Sequence, residues 1–146
     1  MTKDVFLSIS GLQFGQGGED AEKIETVLPG TYYEKGGRHY VLYEESMEGF
    51  VKPLKNAIKF CNGFMELNRS GPVNVRMVFE ENRKTMTSYQ TPYGTILLGI
   101  DTKKIHITQD PDRMLVDVVY ILDMDGNYLA DCNLTIDIRA GSNCSV

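Results

Sequence analysis

Arg69 is the residue whose chemistry asks most of its surroundings. It shares a face with Met65 and Leu67 in an alternating segment, so at least its stem is drawn inward. A guanidinium stays charged, and burying it requires a carboxylate or phosphate partner. Glu45 is the first candidate, because Val41, Tyr43 and Glu45 form one face of the segment Arg38 to Glu45. Glu44 takes its place if the opposite face, Tyr40, Leu42 and Glu44, turns inward. Tyr120 stands on another apolar face, and Tyr89 and Thr91 share a face that otherwise carries threonines. The candidate ligand-binding set is therefore Tyr43, Glu45, Arg69, Tyr89, Thr91 and Tyr120. An arginine, a carboxylate and several hydroxyls are the few convergent polar groups of a small-molecule pocket, one suited to an anionic ligand. The same groups also suit an internal Arg–Glu plug that closes the end of a small barrel, and the residues leave both readings open.

Other chemistry finds little support. Asp123-Met-Asp-Gly126 imitates the start of a calcium loop, but Leu134 occupies the position where a bidentate Glu is required. His39 and His106 lie on separate segments without a third clustered ligand, so no metal site is expected. There is no Gly-x-Ser-x-Gly elbow, and no cysteine has a histidine near it in sequence. Glu44 and Glu45 are adjacent strand residues and point to opposite faces, which disfavours a glycosidase-type pair. The Gly15-Gln-Gly-Gly18 stretch lacks the Gly-Lys-Ser/Thr ending of a phosphate loop. No cofactor is expected, and whether the protein is an enzyme is left open by the residues, with the balance against it because no nucleophile, metal set or cofactor loop is visible.

Composition bounds the partners. The net charge is −5, and no basic cluster is longer than Arg83-Lys84 or Lys103-Lys104, which argues against nucleic acid and anionic membrane surfaces. No apolar run approaches the roughly 20 residues of a membrane helix. The opening Met1 to Ser10 alternates like a strand rather than reading as an export signal. Cys61, Cys132 and Cys144 show no Cys-x-x-Cys spacing, and their odd number fits a reducing cytoplasm. The triplets beginning at Asn68, Asn133 and Asn143 would be sugar acceptors only in a secreted protein. The partners left are a small molecule, or a second copy meeting exposed tyrosines such as Tyr32, Tyr33 and Tyr40.

The elements that must position these groups are strands. Residues 5–14 alternate, with a twist near Gly11; residues 15–22 read as a flexible loop and 140–146 as a disordered tail. Lys35-Gly-Gly37, Asn62-Gly63 and Asp125-Gly126 are hairpin turns. Val73, Val75, Met77 and Phe79 form one strand face, and Ile96, Leu98 and Ile100 another; Met65, Met77 and Met114 are core filler. Between Thr91 and Thr95, Pro92 and Gly94 allow a sharp corner. About ten strands with hairpin-length links make a single all-β domain over 1–146. An eight- to ten-stranded antiparallel barrel is preferred to a sandwich, because a meander closes naturally.

The segments Tyr43-Glu-Glu-Ser46 with Gly49, Asn68-Arg-Ser-Gly71, Met77-Val-Phe79 and Tyr89-Gln-Thr-Pro-Tyr-Gly94 with Thr102 carry a resemblance. Together they resemble the YwiB-like family of small bacterial proteins, from Val5 to Ile138. The resemblance implies a calycin, or lipocalin-like, β-barrel in the cytoplasm and brings no activity with it. The function expected is binding of a small molecule inside the barrel, with a filled barrel acting by protein contact or homodimerisation as the alternative.

Overall fold

Ten strands alternate inward and outward residues, and hairpins join them. In a computed structural model that describes residues 2–11, 26–46, 51–71, 74–91 and 94–141, they are β1 (Thr2–Ser10), β2 (Thr26–Lys35), β3 (Arg38–Glu45), β4 (Leu54–Cys61), β5 (Phe64–Ser70), β6 (Val75–Glu80), β7 (Arg83–Thr91), β8 (Gly94–Asp110), β9 (Arg113–Met124) and β10 (Asn127–Ala140). The loop expected at 15–22 and residues 142–146 of the tail expected over 140–146 lie outside these residues, whereas Ala140 belongs to β10 opposite Val5. The first strand is shorter than its alternation implied and stops at Ser10. Gly11 follows at φ +87°, where a Cβ would sit 2.0 Å from the Asn133 carbonyl oxygen, so the chain can pass only as glycine. Gly36 and Gly37 both have positive φ, as do Asp125 and Gly126, which is the twist a two-residue hairpin needs.

Strand order is β6-β5-β4-β3-β2-β1-β10-β9-β8-β7 in one sheet, every neighbour antiparallel. The first and last strands pair from Val5 opposite Ala140 to Ser10 opposite Thr135. That ladder rolls the meander into a barrel with one seam, between β6 and β7. Among the described residues no backbone ladder crosses the seam. Instead the Thr85 hydroxyl donates to the Val78 carbonyl and the Thr87 hydroxyl to the Arg76 carbonyl. At the turn end of the seam, Asn82 N–H donates to Thr102 O at 2.8 Å and Ile105 N–H to Glu81 Oε2 at 3.1 Å. Those two bonds occupy backbone groups on either side of the bulge between Thr102 and Lys104. The same bulge moves the inward positions of β8 from Ile100 and Thr102 to Ile105.

Side chains fill the interior. Leu7, Val41, Phe60, Met65, Met77, Phe79, Leu98, Ile100, Val116, Val118, Tyr120 and Leu122 have no accessible surface at all. Their burial is that of a close-packed core. Met114 is buried too, so the three methionines named from alternation are core residues.

The seam yields a prediction. Changing Thr85 and Thr87 to valine keeps their shape and removes two hydrogen bonds worth about 1 kcal/mol each. The double variant should unfold at a lower urea midpoint, by an amount equivalent to roughly 1–2 kcal/mol. An unchanged midpoint would mean that these hydroxyls do not hold the seam.

Candidate functional site

Register brings the polar residues together. Tyr43 lies opposite Asn56, and Asn56 opposite Arg69, so three inward positions stand side by side across β3, β4 and β5. Glu45, two residues beyond Tyr43, also turns inward as its alternation required. Arg69 Nη2 is 3.7 Å from Glu45 Oε1, and Asn56 Nδ2 donates to the same oxygen at 3.1 Å. Asn56 is buried, whereas the Arg69 and Glu45 side chains are 15% and 30% exposed, which places the ion pair at the rim of the core. At that separation and exposure the pair is worth little net energy, and its effect is to hold the guanidinium in place. Burial pushes the Tyr43 hydroxyl pKa up to about 12, opposed by the adjacent Arg69 charge and assisted by Glu45. Asn56 Oδ1 is buried without a hydrogen-bond partner among the described residues.

Asn56 was not among the expected site residues. Its signal was present, since it falls on the face of Leu54, Ile58 and Phe60. A polar residue in the middle of an apolar face is where a buried hydrogen bond has to be made.

Of the remaining candidates, Tyr120 packs at a different level of the barrel. Tyr120 is fully buried, edge-on to Phe79 with ring centroids 5.0 Å apart, and sits opposite Thr102 and Cys132. Burial raises the Cys132 thiol pKa, and a hydrogen bond from Tyr120 opposes the rise. Phe79 faces Met65, four residues before Arg69 on β5, so Tyr120 packs at a level about 13 Å from Arg69 along the strand at 3.3 Å per residue. Tyr89 and Thr91 close the β7–β8 ladder, Thr91 opposite Gly94, and their side chains lie outside the described residues. The tyrosines expected to be exposed are half-buried and occupied with neighbours. Tyr32 is hydrogen-bonded to His39 Nδ1 at 2.7 Å, and Tyr33 stacks on Tyr40 at 4.8 Å.

Two concavities flank the cluster. The larger, about 630 Å³, lies on the outer face of β1 to β5. One cross-strand row, Asp4, Thr31, Leu42, Ala57 and Asn68, runs along it in continuous register. Glu44, Lys55 and Ser70 form part of the next row. Gly30 lets β2 and β3 approach closely, since a Cβ there would meet the Leu42 carbonyl oxygen at 2.9 Å. Tyr43 and Asn56 border the groove from the core side. The second, about 320 Å³, opens at the β6–β7 seam. Among the described residues no group of three His, Cys, Asp or Glu side chains could hold a metal ion.

The sequence matches the family described as Domain of unknown function (DUF1934) over residues 7–136. The chain belongs to this family. It is 25% identical over 122 residues to the Uncharacterized beta-barrel protein YwiB of Bacillus subtilis (strain 168), an alignment covering 84% of each chain. A crystal structure of the ywiB protein from Bacillus subtilis superposes with a TM-score of 0.77 at 24% identity, covering 97% of this chain and 94% of that one. The barrel and the YwiB-like resemblance expected from the sequence both hold. As in that family, no activity is attached to the fold.

The buried hydroxyl gives a pH prediction. Tyr43 ionises near pH 10 when unfolded and near 12 when folded, so its favourable term is intact below pH 10 and is lost as the pH rises towards 12. Stability should fall over that window by on the order of 2 kcal/mol. Tyr43→Phe should flatten the fall in urea midpoints measured from pH 9 to 12, and an equally steep profile would contradict the assignment.

Proposed function

We propose that this protein is a small-molecule binding barrel that carries its ligand in the outer groove of β1 to β5 rather than in the core. The observation that carries the reading is a concavity of about 630 Å³, within the range of small-molecule sites, on a barrel whose middle is filled. Its lining supports the same view. Pro29, Leu42 and Ala57 supply apolar surface, while Thr31, Asn68 and Ser70 supply hydrogen-bonding groups. Asp4 and Glu44 outnumber Lys55, so the groove itself suits a ligand body that carries no negative charge. The cluster of Tyr43, Asn56, Arg69 and Glu45 stiffens the wall behind it. A calycin-type barrel in the bacterial cytoplasm fits this reading, without nucleic acid or membrane as partner.

A second reading, contact with another copy of the chain, draws on exposed apolar residues of the opposite wall. Met86, Leu97 and Tyr128 are 51%, 42% and 67% exposed. Sedimentation should show a dimer that Leu97→Lys dissociates if that surface pairs, and a strictly monomeric profile would dismiss it.

Native mass spectrometry of freshly purified protein tests the main reading. A retained small mass is expected, with its loss in Ala57→Trp, which fills the groove from the outer face. No retained mass, together with no thermal shift across a metabolite panel, would refute it.

A further inference from the structure

The seam between β6 and β7 is the one place where the barrel wall lacks a backbone ladder among the described residues, and a cleft of about 320 Å³ opens there. Apart from Val75 its lining is polar: Asn68, Arg69, Asn74, Arg76, Thr87 and Ser88, with two guanidiniums and no carboxylate. Arg69 lines it from β5 with its guanidinium turned to Glu45, and Arg76 lines it from the outward face of β6.

Arg76 is held side-on. Its Nε donates to Glu66 Oε2 at 2.7 Å, and no other hydrogen bond or ion pair engages its side chain among the described residues. Both terminal nitrogens are therefore left as donors, on a side chain that is 64% exposed. Glu66 is itself fixed, by Asn68 at 3.0 Å and Lys59 at 3.5 Å, and its carboxyl pKa is lowered mainly by the Arg76 hydrogen bond. The arginine is thus charged, oriented and only partly used. Asn74 accepts from Gly71 N–H through Oδ1 at 3.4 Å, which leaves its amide N–H groups as donors. Ser88 is exposed and adds a hydroxyl.

Donors approaching from several directions suit a tetrahedral anion better than a carboxylate, which a single planar guanidinium fork already satisfies. Asn68 lines both this cleft and the outer groove. We propose that the seam cleft binds the phosphate group of a phosphorylated small molecule whose body extends into the outer groove. The placement of the body rests on the groove being the ligand seat; the phosphate seat does not.

Calorimetric titration of the full chain at constant ionic strength tests this with inorganic phosphate, phenyl phosphate and acetate. Inorganic phosphate should bind saturably and at least tenfold tighter than acetate. Arg76→Gln should weaken it at least tenfold, and so should Ser88→Glu, which changes an exposed residue. Phenyl phosphate should bind tighter than inorganic phosphate, and Ala57→Trp should abolish that gain while leaving inorganic phosphate unaffected. Phosphate binding no better than acetate, or indifferent to both cleft variants, overturns the phosphate seat without touching the groove. Phenyl phosphate binding no tighter than inorganic phosphate overturns the extension of the ligand into the groove.

Discussion

Pairing of the first strand with the last is the constraint on which the structure depends. A ten-strand meander has two exposed backbone edges, and an open edge is a site for wrong pairing. Joining Val5–Ser10 to Thr135–Ala140 moves both edges to β6 and β7, which the short turn at Glu81 and Asn82 already holds together. Closure makes the inward faces of all ten strands continuous. Apolar side chains then occupy the middle, and polar inward residues are confined to the rim or to buried pairs such as Tyr120 with Cys132. Arg69 lies one strand from the seam for the same reason: it sits at the end of β5, where the inward face gives out.

The outer face carries the electrostatics that the core cannot. Glu66 on β5 is gripped by Lys59 from β4 and Arg76 from β6. Asp137 on β10 holds Arg113 from β9 at 2.9 Å and Arg139 at 3.2 Å. Each carboxylate links neighbouring strands, with its pKa lowered chiefly by an arginine hydrogen bond. At Lys84 and Asp123 the nitrogen–oxygen distance is 2.7 Å, and the Asp123 carboxylate lies over Gly99, where a Cβ would come within 2.5 Å of it. Within the Glu66 cluster, the terminal nitrogens of Arg76 remain without a partner among the described residues.

Alternation was legible in the chain because burial on one face imposes a period of two. It located the strands, their inward residues and the Arg69–Glu45 partnership, since two residues on inward faces of nearby hairpins have few other partners to reach. Register between strands was not legible. It depends on bulges such as those at Thr102/Lys104 and Tyr128/Ala130, where one residue shifts every later side chain. For that reason Tyr120 was grouped with Arg69 although it packs against Phe79. Asn56 was passed over because its apolar neighbours masked a single polar position. The groove was invisible for a different reason: it is lined by outward residues of five strands, and no local pattern marks where the outside of a barrel becomes concave.

Native-state amide hydrogen exchange measures closure directly. The Arg76 and Val78 carbonyls point at β7, so the amides of these residues face the seam as well. They should exchange through local opening, faster than global unfolding, while the amides of Leu7, Ile136 and Ile138 in the first and last strands exchange only with global unfolding. Seam amides as protected as those of β1 and β10, or β1 and β10 amides exchanging first, would contradict a barrel joined at its termini and open between β6 and β7.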